Sequence, residues 1–200
     1  MDKEFYLSRL RDKNTTIEEF RKASLELSKL TALESLNDVQ SSAVIIDTPH
    51  EKTQGVKIKS SPILVIILRS GMAMLPSFLE VYPESKVAVI GIFREADTAK
   101  PHLYYQNIPT IAKDSDIFIL DPMLATGQSL DLTISLLKKQ NVNENFIHVF
   151  SFLGADTGIK LISNNHPKVH LHIHQVDKIL NKKFEIVPGL GDFGDRFFGN

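Results

Sequence analysis

Cysteine is missing from all 200 residues, which excludes disulfide staples and thiolate metal sites. A surplus of charge of one sign is missing too. The 23 Lys and Arg against 24 Asp and Glu leave a formal charge of -1, so the chain lacks the basic surface on which nonspecific nucleic-acid binding rests. No apolar run reaches the ~20 residues needed to cross a bilayer. The opening "MDKEFYLSRLRDK" is charged and has no apolar leader core. A cytoplasmic protein is expected, with neither membrane nor nucleic acid as partner. With no repeat, linker or low-complexity tract, residues 1–200 are expected to form one domain.

Several motifs are present. In "NTTIEEFRKASLELSKLTALESL", Thr15 or Thr16 is followed three residues later by Glu18 or Glu19, a capping-box spacing. Ile17, Phe20, Leu27 and Leu30 recur at helical intervals, predicting an amphipathic helix over about 17–36. "SSAVIID" and "GVKIK" read as a strand pair, with "HEKTQG" as the turn between them. From residue 63 the pattern changes. "ILVIIL", "KVAVIGIF", "DIFIL" and "IHVFSFL" are apolar at nearly every position, as strands buried on both faces must be. Helical stretches, "MAMLPSFLEVY" and "LDLTISLLKKQ", lie between them. The fold class expected is α/β: a mostly parallel sheet flanked by helices, with right-handed crossovers and an N-terminal helix.

In such sheets ligands bind beyond the carboxyl ends of strands, and three loops qualify. The first is "DPMLATGQS", Asp121 to Ser129. Gly127 frees the backbone to turn. The N–H groups of Ala125 to Ser129 can converge at a helix start, which suits a phosphate, and Thr126 and Ser129 add hydroxyls. Asp121 would repel a phosphate but suits the vicinal hydroxyls of a sugar. The loop therefore asks for a ribose 5-phosphate. In the second loop, "LRSG", Arg69 can fork onto phosphate oxygens. The third, "READTAKPHLYYQNIP", is long and polar and reads as a lid. An ordinary βα turn and a surface arginine are the competing readings of the first two loops; within the third, plain surface packing is the expected reading of Lys100, Tyr104 and Tyr105.

The "DPMLATG" loop resembles the phosphoribosyl-pyrophosphate (PRPP) loop of type I phosphoribosyltransferases, and of the uracil phosphoribosyltransferase family in particular. "LRDKNTTIEEFR", "ILRSG", "FREADTAKP", "LLKK" and "IVPGLGDFGDRFFG" extend the resemblance over most of the chain. It implies transfer of the phosphoribosyl group from PRPP to uracil, giving UMP and pyrophosphate. The PRPP contacts implied are Arg69, Arg94, Asp121, Pro122, Met123, Leu124, Ala125, Thr126, Gly127, Gln128, Ser129 and Asp192. Uracil is expected on Ile186, Gly191, Asp192 and Phe193. Arg69, Arg94, Asp121 and Asp192 would carry catalysis, Asp192 as a candidate for the N1 proton. No metal is expected on protein ligands alone; Mg2+ arrives with PRPP. GTP as activator and a homodimer or larger homo-oligomer are also implied, with residues 1–40 as a helical extension and 175–200 as a base-binding segment. Phe193 stands where relatives carry a small residue, so either its backbone alone meets the base or its ring enters the pocket. Gln128 replaces a glycine, and Phe184-Glu185 replace Gly-Tyr. The alternative is a catalytically weak relative that binds PRPP or nucleotide and regulates a partner. An RNA-binding regulator and a transferase for another base are also weighed.

Two motifs are discounted. Gly189, Gly191 and Gly194 fit G-x-G-x-x-G, yet neither a helix nor a downstream ribose carboxylate is expected to follow. Asp192-Phe193-Gly194 has no kinase context. In "VHLHIHQ", His170, His172 and His174 share one strand face; the expected reading is a half-exposed strand with Val169, Leu171 and Ile173 toward the core, rather than a metal site.

Overall fold

The computed structural model describes residues 3–95 and 97–200. Met1 and Asp2, in the expected N-terminal extension, and Ala96, in the expected lid, lie outside them. The chain begins with helices α1 (Lys3–Arg11) and α2 (Ile17–Glu34). The capping box at the start of α2 is closed from both sides: the Thr16 hydroxyl accepts the Glu19 N–H at 3.3 Å and the Glu19 carboxylate accepts the Thr16 N–H at 3.0 Å. Phe20 and Leu27 are buried, whereas Ile17 stays exposed at the helix tip. Strands β1 (Ser41–Asp47) and β2 (Lys52–Ile58) form a separate antiparallel hairpin. Its turn spans 48–51, so Lys52 to Gly55, expected within the turn, belong to the strand.

The central sheet contains β3 (Ile63–Leu68), β4 (Val87–Arg94), β5 (Pro101–Asn107), β6 (Ile117–Leu120), β7 (Met123–Leu124), β8 (Ile147–Ala155) and β9 (His170–Asp177). Their order is β5-β4-β3-β6-β8, with β7 and β9 also paired to β8, and every pair but β4·β5 is parallel. Alternation along the strands splits the apolar core into two. Leu64, Ile66, Phe118, Leu120, Phe150 and Phe152 pack with Leu7, Leu10, Phe20 and Leu27 of the N-terminal helices and with Phe78 of α3 (Leu75–Val81). Ile63, Val65, Ile67, Ile117, Ile119 and Val149 face the other way, onto Leu130, Ile134 and Leu137 of α4 (Gln128–Lys138) and Ile162 of α5 (Asp156–Asn165). This is the two-sided cover that unbroken apolar strands require. A small pair, β10 (Ile179–Leu180) and β11 (Ile186–Val187), and helix α6 (Phe193–Phe198) complete the chain.

Three expectations change. The polar stretch read as one long lid is partly strand: Pro101–Asn107 form β5, which pairs with β4 as an exposed antiparallel edge. The helix expected at "MAMLPSFLEVY" is a 3-10 turn, Ser70–Ala73, followed by α3. A short helix, Phe193–Phe198, does form, with Gly194 of the glycine motif inside it.

Candidate active site

Because β4, β3 and β6 are parallel neighbours, their carboxyl ends lie side by side. Arg94 ends β4, Arg69 follows β3 and Asp121 follows β6. Sheet order alone thus gathers three charges that are far apart in sequence. Between them opens a cavity of about 470 Å3. Arg69, Arg94, Asp121, Met123, Leu124, Ala125, Thr126, Gly127, Ser129 and Asp192 line it, all sequence-expected, together with Ser70, Tyr104 and Gly194.

The loop from Asp121 turns on Gly127, whose φ of 82° is left-handed and immediately precedes α4. A Cβ there would also meet the Gly158 carbonyl at 2.9 Å. Gly127, at the N-cap, has no side chain to cap α4; the Gln128 N–H donates to the Thr126 hydroxyl at 3.4 Å, and Thr126, Gly127 and Ser129 line the cavity at the helix start. That is the donor set a phosphate group takes.

Burial pushes the Asp121 carboxyl up from 3.8 to about 7, with the Arg94 charge and the Met123 N–H opposing the rise. The Asp121 carbonyl accepts the Ser151 hydroxyl at 2.6 Å, which pins the strand end. Arg69 donates to Asp195 of α6 at 3.0 Å and lies 5.6 Å from the Phe198 ring centroid. Arg69 is therefore held against the C-terminal helix.

A second cavity, about 210 Å3, adjoins the first and shares Ser70, Arg94, Met123, Ala125 and Asp192 with it. Ile186, Gly191 and Phe193 line it as expected, joined by Glu95, Ala99, Lys183, Phe184 and Glu185. The Phe193 ring does not fill it. That ring is buried against Phe20, Phe152 and Phe197, at centroid distances of 5.3, 6.0 and 5.8 Å. Asp192 caps α6 by accepting the Asp195 N–H at 2.8 Å. Gly189, at φ 61°, passes so close to the Ile186 carbonyl that a Cβ would lie 2.0 Å from it.

Distant residues hold this segment in place. Arg11 makes two hydrogen bonds to Asp177, at 2.7 and 2.9 Å, and a third to the Gly189 carbonyl, while Asp177 also accepts the Gly189 N–H. The Arg11 bonds, then the Gly189 N–H, keep the Asp177 carboxyl below its usual range against the effect of burial. Arg196 donates to the Leu190 and Asp12 carbonyls and sits 4.4 Å from the Phe20 ring centroid.

Two expected contacts sit outside both cavities. Pro122 is buried beneath the loop, where its carbonyl accepts the Phe152 and Leu153 N–H groups. Gln128 borders a different cavity, with Thr157, Leu161 and Phe184. Sequence reasoning missed Glu95, Lys183 and the Arg11–Asp177 clamp; only Phe184-Glu185, as a departure from the family pattern, signalled part of the second cavity.

The comparisons agree with this geometry. A family model described as uracil phosphoribosyltransferase matches residues 4–200. A uracil phosphoribosyltransferase of Symbiobacterium thermophilum is 37% identical over 194 residues, 96% of this chain and 92% of its own. One from Finegoldia magna is 39% identical, also over 96% and 92%. Among solved structures, the AQ2163 protein from Aquifex aeolicus aligns over 98% of this chain and 93% of its own, with a TM-score of 0.88 and 31% identity. A hypoxanthine-guanine phosphoribosyltransferase from Bacillus anthracis, at TM-score 0.51 and 11% identity over 84% and 86%, shares the fold.

Proposed function

The chain belongs to the uracil phosphoribosyltransferase family, and from that premise we propose how its residues divide the work of moving a phosphoribosyl group from PRPP to N1 of uracil. The products are UMP and pyrophosphate. The observation that carries the assignment is the pair of adjoining cavities meeting at Asp192, with Asp121 and both arginines around the larger one.

The N–H groups at the start of α4, with Thr126 and Ser129, hold the 5-phosphate. That remote grip positions the reacting ribose carbon. Asp121 accepts the ribose hydroxyls, and its negative charge stabilises the oxocarbenium-like carbon as the C1–O bond to pyrophosphate breaks. Arg69 and Arg94 take the charge that develops on the leaving group. For Arg69 this requires release from Asp195. Uracil enters the smaller cavity, where backbone groups near Ile186, Gly191 and Phe193 read its polar edge. A mismatched base would leave a buried donor or acceptor unpaired, at about 1–3 kcal/mol. Asp192, common to both cavities, is the candidate to receive the N1 proton.

The donor set suits a hard cation brought by its ligand: Asp121 and Asp192 supply carboxylates, and among the described residues no cluster of three metal-ligating side chains lies there. Mg2+, held mainly by PRPP oxygens and its own waters, would neutralise the pyrophosphate. GTP activation and a cytoplasmic setting complete the reading. So does a homodimer or larger assembly, for which the isolated β1–β2 hairpin, with Ile45 and Val56 largely exposed, offers a surface.

The deciding experiment is UMP formation from PRPP, Mg2+ and uracil, with cytosine, hypoxanthine and orotate run in parallel, each with and without GTP. Turnover with uracil alone is expected. A folded protein that binds PRPP but turns over no base would overturn the catalytic assignment and leave the regulatory alternative.

A further inference from the structure

Strand β9 is half-exposed, as its sequence suggests, and its histidine face carries a further arrangement. Val169, Leu171 and Ile173 do pack toward the core, as alternation requires. The opposite face of β9 meets β8 and the segment after α2. His148 of β8 is buried, at 7% exposure. Its Nδ1 lies 3.0 Å from Nε2 of His172. The two residues are diagonal neighbours on parallel strands, since His148 pairs with His170 and Phe150 with His172. The rings of His170 and His172 stack on His148, with centroids at 4.6 and 5.3 Å, and His172 also stacks on Phe150 at 4.7 Å. Aromatic packing therefore fixes both ring planes. Asp38, just beyond the 3-10 turn that follows α2, brings a carboxylate to 3.7 Å from Nδ1 of His172. One ligand atom each from Asp38, His148 and His172 fall within 4.8 Å of one another.

From this geometry we infer that Asp38, His148 and His172 form a binding site for a divalent transition-metal ion of the zinc class, separate from the phosphoribosyl-transfer site. Two imidazoles and one carboxylate select a borderline ion over Mg2+ or Ca2+, which prefer oxygen ligands. A cavity of about 510 Å3 opens onto Asp38, His172, Glu34 and Lys3, though not onto the buried His148, and gives the ion a path to the site. The Lys3 ammonium, which would repel a cation, is paired with Glu34. None of the three ligands lines either active-site cavity. The role that follows is structural: the ion would join the edge strand β9 and β8 to the end of the N-terminal helices.

The test uses untagged, chelator-stripped full-length protein titrated with Zn2+ against a chromophoric chelator, and with Co2+ followed by visible absorption. The expected result is one tight equivalent per chain, a Co2+ spectrum of tetrahedral intensity, and a raised melting temperature that Mg2+ does not reproduce. His172→Gln should weaken Zn2+ binding by 10-fold or more and remove the Co2+ bands, as should Asp38→Asn, a second and partly exposed position. Both variants should keep UMP formation with Mg2+ close to wild type, which shows that they fold. Zn2+ affinity unchanged in both variants would overturn the site. So would wild-type binding no tighter than about 100 μM, and the trio would then be a plain hydrogen-bonded relay.

Discussion

Asp121, in the role proposed for it, is a partly buried carboxyl whose chemistry carries a cost to stability. Its folded value of about 7 stands above the unfolded 3.8. Between those values the folded protein holds a proton that the unfolded chain has released. Stability therefore falls as pH rises from about 4 to about 7, by up to about 1.4 kcal/mol per pH unit, and levels off above. Asp121→Asn removes this liability and should raise the melting temperature at pH 8, while turnover drops by about 100-fold or more. Unchanged steady-state rates would remove Asp121 from the ribose. For the wild type, kcat/KM should climb with pH up to about 7, as the carboxylate the reaction needs is formed. Phe193 makes the opposite case. Its ring belongs to the core, so Phe193→Ala should cost about 3–5 kcal/mol in denaturant unfolding and leave base preference intact. A switch of base in that variant would show that the ring guards the pocket after all.

At the scale of elements, the C-terminal segment depends on a clamp supplied by α1. Arg11→Ala would leave Asp177, nearly buried, as an unpaired charge, at a cost on the order of 3 kcal/mol. It would also release the Gly189 carbonyl. The expected readouts are a lower melting temperature and a raised KM for uracil with KM for PRPP little changed. How much of this was legible in the sequence varies with each element's surroundings. β3, β6 and β8 could be read because they are buried on both faces and therefore apolar throughout. β5 could not: an exposed edge strand carrying His102, Tyr104 and Gln106 looks like loop. Asp121, Thr126 and Arg69 were legible because each sits directly after an apolar strand. Arg11 with Asp177 and Asp38 with His148 were not, because folding alone brings together residues more than a hundred positions apart.

At the scale of the whole molecule, the β1–β2 hairpin stands apart from the main sheet. A lone two-stranded hairpin is marginal in water, and its exposed Ile45, Ile46 and Val56 match a surface covered by another copy. Light scattering should give a dimer or larger species, and Val56→Asp should shift it toward monomer; a wild-type monomer at micromolar concentration would dismiss the assembly. The bond between Arg69 and Asp195 carries a consequence of another kind. While the site is empty, its arginine already has an anion, tethered to the same chain. Any incoming anion must outbid that internal competitor. An exposed pair of this sort is worth about 1 kcal/mol at most, which sets a threshold of no more than about five-fold in affinity. Every anion that engages Arg69 meets that same threshold, PRPP's pyrophosphate included. The pair thus acts as a built-in counterweight, and Asp195→Asn should tighten every ligand held by Arg69 by up to about five-fold, as titration calorimetry would read; unchanged affinities would show that Asp195 does not compete.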